Sequence, residues 1–103
     1  MKRSLIRYRF TTGTVEEWHR DIAGFIAALD NDPDLKGKIS YRVMKIRDGN
    51  DYYHLAGAAD DAAIRTLQQR DFFKRYTEKT RQVAAGHVDV LPLEVIGETA
   101  HRS

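Results

Sequence analysis

The sequence predicts an α+β fold of the ferredoxin-like kind, β-α-β-β-α-β, with a four-stranded antiparallel sheet and both helices on one face. Three observations predict it. Residues 4–12, 38–58 and 88–96 carry β-branched and aromatic residues with period two or turn chemistry between them. Residues 15–29 and the stretch after Asp60 carry apolar residues at helical spacing. The order of these segments is that of the split βαβ arrangement.

Each element has its own warrant. In Ser4–Thr12, Ile6, Tyr8 and Phe10 point one way, and Leu5, Arg7, Arg9 and Thr11 the other. Thr14, followed three residues later by Glu17, is a capping-box start. Val15, Trp18, Ile22, Phe25, Ile26 and Leu29 then form one apolar stripe, and Asp30-Asn31-Asp32-Pro33 ends the helix. Lys38–Arg47 and Tyr52–Ala58 read as a hairpin around Asp48-Gly49-Asn50-Asp51. Centring the turn on Gly49-Asn50 pairs Arg47 with Tyr52, Lys45 with His54 and Val43 with Ala56. Asp60 and Asp61 open a second helical region, in which a break near Gln69–Asp71 brings Phe72 and Phe73 into phase. Gly86 is expected to be its left-handed cap. Val88–Ile96 is the last strand, and Pro92 inside it lacks a donor and marks an edge or a bulge. One domain spans 1–103, with a core over 4–97 and a loose tail over 98–103.

Composition bounds the function. The chain has 103 residues, 42% hydrophobic and 31% charged, enough to bury one core. No window reaches the roughly 20 apolar residues of a membrane span, and Arg7 and Arg9 interrupt any signal-like apolar run. The absence of cysteine removes disulfides, thiolate metal sites and a cysteine nucleophile, and fits a cytoplasmic protein. The net charge of +2 comes from scattered rather than clustered basic residues, which argues against nucleic acid as a partner. Asp30, Asp32 and Asp34 imitate the start of a calcium loop. Leu35 and Tyr41, however, stand where that loop needs glycine and glutamate. With no H-x-x-x-H, P-loop, G-x-G-x-x-G or G-x-S-x-G, neither metal nor cofactor is expected. The basic-Gly-aromatic signature of RNA-recognition domains is missing too.

The opening strand Leu5-Ile-Arg-Tyr-Arg-Phe, the helix around Trp18–Leu29, the hairpin through Asp48–Asp51 and the segment Arg70-Asp-Phe-Phe-Lys-Arg-Tyr, followed by the last strand, form a recognisable pattern. It resembles the dimeric α+β barrel superfamily, on its antibiotic-biosynthesis-monooxygenase-like branch. The resemblance implies a homodimer joined through the sheet face and a ligand cavity between sheet and helices. It also implies cofactor-independent proton transfer or oxygenation of a hydrophobic or aromatic metabolite. The haem-degrading members use an Asn-Trp-His set. Here the only tryptophan is Trp18 and the first strand has no asparagine, which argues against haem degradation and equally against small-quinol oxidation. The other reading is a binding or assembly module whose sheet face the dimer partner fills.

Among the residues themselves, His54 is the candidate acid/base, because imidazole titrates near neutrality. Tyr41 and Tyr52 would orient a carbonyl or phenol, and Arg7 and Arg9 would bind an anionic group. Phe72, Phe73 and Tyr76 lie at the spacing of a core stripe, and Phe72 and Tyr76 double as an aromatic pocket wall. His19 reads as a surface residue, His87 as a helix-end residue and His101 as part of the tail. This assignment takes the face of Met44, Ile46 and Leu55 as the one that meets the helices. Inverting it would bring Tyr53 and Arg42 into the cavity and leave His54 without a role.

Overall fold

A computed structural model describes residues 2–100. The elements are β1 (Lys2–Arg9), α1 (Val15–Asn31), β2 (Ile39–Lys45), β3 (Asp51–Ala58), α2 (Asp61–Gln68), α3 (Asp71–Val83) and β4 (Val88–Leu93). The strands form one antiparallel sheet in the order β2-β3-β1-β4. The α+β, ferredoxin-like topology is therefore the one expected, with the second helical region divided in two. His101 and the last residues of the tail lie outside the described residues, and residues 94–100 are irregular and exposed.

Local chemistry sets the boundaries. The Thr14 hydroxyl accepts the Glu17 N–H at 3.4 Å and opens α1. The helix buries Trp18, Ile22, Phe25 and Leu29 against the sheet. Asp60 caps α2 through the Ala63 N–H at 2.8 Å. The break falls at residues 69–70, as the phase of Phe72 and Phe73 required. There the Arg70 guanidinium bridges Asp32 and Asp34, each at 2.8 Å. The aspartates that imitate a calcium loop thus tie the end of α1 to the α2–α3 break. Leu35, fully buried in the following turn, closes that corner of the core. Full burial of a leucine contributes about 1.5–3 kcal/mol.

β1 ends at Arg9 rather than Thr12. The Thr11 and Thr12 N–H groups bond the Val83 carbonyl at 2.8 and 3.2 Å, so this segment caps α3 instead of extending the ladder. β4 is an edge strand, one of the two settings Pro92 allows, and its ladder with β1 ends at the Leu93–Arg3 pair.

Three expectations need correction. The left-handed cap of α3 is Ala85 (φ 52°), one residue before Gly86 (φ 84°). The Gly86 N–H bonds the Arg81 carbonyl at 2.9 Å and the Ala85 N–H that of Gln82 at 3.3 Å, the Schellman pair. An L-residue with a Cβ pays for this conformation. Ala85→Gly, at an exposed site, is therefore expected to stabilise the fold by about 0.5–1 kcal/mol, read as a higher urea midpoint at unchanged m.

The hairpin register is the second. Lys45 pairs with Tyr52, Val43 with His54 and Tyr41 with Ala56, two residues from the expected pairing. The turn closes earlier, with the Gly49 N–H on the Ile46 carbonyl and Asp48 at φ 63°. A slip of two preserves every side chain's face. Lys45 does not neighbour His54, and its ammonium instead bonds the carbonyls of Ile46 and Gly49.

The third is the orientation of the sheet. Tyr8, Tyr52 and His54 are buried against the helices together with Ile6, Tyr41 and Val43, whereas Met44 and Ile46 are 42% and 48% exposed. The face is the inverse of the one assumed, yet the inversion puts His54 under the helices and Arg42 and Tyr53 away from them. Among the described residues no helix covers the other face. It carries Leu5, Tyr53, Leu55, Met44, Leu91 and Leu93 among the arginines Arg3, Arg7 and Arg9.

Candidate functional site

A cleft of about 610 Å³ opens between the sheet and the helices. Its floor is Ser4 and Ile6 of β1, Tyr41 of β2, and His54 and Ala56 of β3. Phe25 of α1, Ile64 and Leu67 of α2, and Phe73, Tyr76 and Thr80 of α3 form its walls. Lys2 and Arg81 stand at the rim, each in an exposed ion pair, with Asp61 at 2.9 Å and Glu78 at 3.5 Å. The lining is mainly apolar and its polar groups converge at the floor, the usual construction of a small-molecule site.

The polar floor is a chain of hydrogen bonds. The Trp18 indole N–H donates to the Tyr8 hydroxyl at 2.8 Å. The Tyr8 hydroxyl meets His54 Nε2 at 2.7 Å. His54 Nδ1 meets the Tyr41 hydroxyl at 2.5 Å and lies 3.3 Å from that of Tyr76. The Tyr41 hydroxyl donates to the Tyr76 hydroxyl at 3.2 Å. Parity explains the gathering: Tyr8, Tyr41 and His54 all project from the helix-side face of three adjacent strands. Trp18 and Tyr76 descend from α1 and α3. Tyr76 stacks flat on Phe25 with ring centres 3.9 Å apart, and near-parallel to Trp18 at 5.6 Å.

Burial sets the charge state. His54 is fully buried, and desolvation lowers its pKa to about 4, so the imidazole is neutral at pH 7. Desolvation likewise raises the hydroxyls of Tyr8, Tyr41 and Tyr76 above the ordinary tyrosine value. The network holds no net charge, and His54 reaches the cleft through the tyrosines that cover it.

Of the residues singled out in the sequence, the structure brings together His54, Tyr41 and Tyr76. Arg7 and Arg9 lie on the opposite face, paired with Asp89 at 3.2 Å and Asp51 at 3.1 Å. Tyr52 shares the face of His54, but its hydroxyl turns outward to His19 Nε2 at 2.7 Å. It borders a second, smaller depression of about 300 Å³ with Arg7, Arg9 and His87. His19 is exposed, as expected, and His87 follows the end of α3. Phe72 packs on Phe25 within the core, and the neighbouring Phe73 lines the cleft. Sequence reasoning missed Tyr8 and Trp18 as members of the network. The alternation of β1 put Tyr8 on the face of Ile6, and a buried tyrosine needs a partner for its hydroxyl. That was the available signal. Among the described residues, no cluster of three or more His, Cys, Asp or Glu side chains could hold a metal, and no helix is long and apolar enough to cross a membrane.

No family model matches the chain, and no curated protein does. Solved structures match throughout its length. SnoaB, a cofactor-independent oxygenase from Streptomyces nogalater, superposes with a TM-score of 0.72 at 16% identity, over 97% of this chain and 98% of that one. An antibiotic biosynthesis monooxygenase from Bacteroides thetaiotaomicron, putatively so named, gives 0.77 at 17% identity over 99% and 95%. A similarly described protein from Caulobacter crescentus gives 0.74 at 15% identity over 93% and 90%. These identities speak for architecture alone. By sheet order, helix placement and full-length superposition, the chain has the ferredoxin-like fold of the antibiotic-biosynthesis-monooxygenase-like proteins.

Proposed function

We propose that the protein binds a hydrophobic, aromatic metabolite in the cleft between sheet and helices and acts on it as a monooxygenase-like enzyme without a cofactor. The observation that carries the reading is the cleft itself. Its apolar walls end on three hydrogen-bonding side chains, Tyr41, His54 and Tyr76. In this reading Tyr41 and Tyr76 touch the substrate, and His54 is a positioning residue behind them. When an enolisable or phenolic substrate loses a proton to solvent, a tyrosine O–H facing its oxygen stabilises the negative charge left there, and the electron-rich ring is then the reductant for dioxygen. The likeness to SnoaB supports the cofactor-independent class.

The second reading, a binding module without chemistry, draws on one observation. A histidine with a pKa of about 4 and both nitrogens engaged is a weak base at neutral pH. Ala56 on the cleft floor separates the outcomes. Electron-rich phenols and enolisable aromatic ketones that fit the cleft are expected to raise the wild-type melting temperature and to leave that of Ala56→Phe unchanged, since phenylalanine fills the site. Oxygen uptake on mixing selects the enzyme. A rise in melting temperature without uptake selects a ligand-binding module, and no rise with any of them overturns the enzyme reading and leaves an assembly module.

The same reading makes the protein a homodimer. The uncovered sheet face, with Leu91 and Leu93 37% and 41% exposed beside Leu5, Tyr53 and Leu55, is the surface a second copy would cover. Native mass spectrometry is expected to show the dimer, reduced to monomer by Leu55→Arg. A wild-type monomer would overturn this part of the proposal.

A further inference from the structure

The hydrogen bonds of the cleft floor can be followed proton by proton. Five donors take part: the Trp18 indole N–H, the hydroxyls of Tyr8, Tyr41 and Tyr76, and one N–H of the neutral His54 imidazole. Trp18 donates only, so the Tyr8 oxygen accepts from it. Two arrangements remain. If His54 carries its proton on Nε2, it donates to Tyr8 as well, and the Tyr8 hydroxyl proton has no acceptor. Tyr8 is 6% exposed and borders the second depression rather than the cleft, and its hydroxyl is held between Trp18 and His54 with no third partner among the described residues, so that proton would be orphaned in the interior. A buried orphan donor is strongly disfavoured. If the proton is on Nδ1, Tyr8 donates to Nε2, Nδ1 donates to Tyr41, and Tyr41 donates to Tyr76. Every interior donor is then used. The one proton left over is the Tyr76 hydroxyl's, and Tyr76 lines the cleft.

We propose that the network fixes His54 as the Nδ1–H tautomer and so delivers a single unshared hydroxyl proton, at Tyr76, to the buried end of the cleft, which selects ligands bearing an oxygen acceptor there. The proposal deepens the reading of the cleft as an aromatic-ligand site and rests on it. The ligand class is a flat aromatic molecule with an oxygen acceptor at one edge, which accepts this hydrogen bond while the rings lie among Phe25, Leu67 and Phe73.

The test has two arms. In the free protein, long-range ¹H–¹⁵N spectra of the imidazole report the tautomer. Protonated Nδ1 with bare Nε2 is expected, and the Nε2–H form overturns the proposal. In the second arm, 9-fluorenone and fluorene are titrated into the wild type, two probes of nearly equal shape that differ in the carbonyl. The ketone is expected to bind about tenfold more tightly, one net hydrogen bond. Its carbonyl stretch is expected to move to lower wavenumber on binding. Equal affinities, or an unshifted carbonyl, overturn the inference and leave the aromatic site standing. If neither probe binds, the aromatic-ligand reading itself falls and the substrate class falls with it.

Discussion

Replacing His54 by alanine is expected to destabilise the fold by roughly 3–5 kcal/mol, and the cost comes from neighbours as much as from the histidine. The Tyr8 hydroxyl loses its acceptor 2.7 Å away, and the Tyr41 hydroxyl loses its partner at Nδ1. Each buried group left unpaired costs about 1–3 kcal/mol. The void adds a packing loss, because the imidazole is fully covered by Tyr8, Tyr41 and Tyr76. A turnover assay on this variant would therefore confuse unfolding with lost chemistry. His54→Gln, which keeps a donor and an acceptor, is the companion, and its midpoint in urea is expected to fall by less.

The same burial gives the wild type an acid signature. The folded histidine has a pKa of about 4, and in the unfolded chain about 6.5. Between those values the unfolded chain holds a proton that the folded one refuses, so stability rises with pH across this window. The contribution is complete above pH 6.5, drains as pH falls toward 4, and amounts to roughly 3 kcal/mol in all. Carboxylates titrate near and below 4, so the upper part of the slope belongs to histidine. Urea midpoints measured from pH 7 to pH 4.5 are expected to fall in the wild type and to stay nearly level in His54→Gln. A level wild-type profile would mean that His54 is solvated and the network is not closed.

How far the site was legible follows from what each signal encodes. Period two marks which side chains share a face, and it grouped Tyr41, Val43, Tyr52 and His54 correctly. It does not say which face the helices choose. Met44, Ile46 and Leu55 looked as apolar as Tyr41, Val43 and Tyr52, and the choice falls to packing: large aromatics with polar tips bury more area and find partners inside. The hairpin slipped by two residues because Gly49 and Asn50 both suit a turn, and the Asp48 φ of 63° settled it earlier in the chain. Arg7 and Arg9 read as an anion site because Asp51 and Asp89 become their partners only when β3 and β4 flank β1. Trp18 and Tyr8 are ten residues apart on different elements, so no local pattern announces their hydrogen bond.

Trp18→Ala is expected to match the His54 loss, at about 3–5 kcal/mol, for a different reason. Trp18 is 1% exposed and packs by its edge on Tyr8 and by its face on Tyr76, with ring centres at 6.3 and 5.6 Å. Truncation removes one wall of the Tyr76 slot, whose other wall is Phe25. Trp18→Phe separates packing from hydrogen bonding. It keeps a ring in the slot while removing the donor to Tyr8 and the smaller part of the indole's bulk, and the Tyr8 oxygen tolerates an empty lone pair better than a buried N–H tolerates an absent acceptor. The phenylalanine variant is therefore expected to lose only about 1–2 kcal/mol. Both are read by circular dichroism in urea, because each removes the chain's one tryptophan and its fluorescence with it. Equal losses would place the energy in the indole N–H and make the hydrogen-bond chain, rather than the aromatic stack, the structural centre of the cleft. A small loss for phenylalanine beside a large one for alanine leaves the stack as the scaffold that holds Tyr76 against the network.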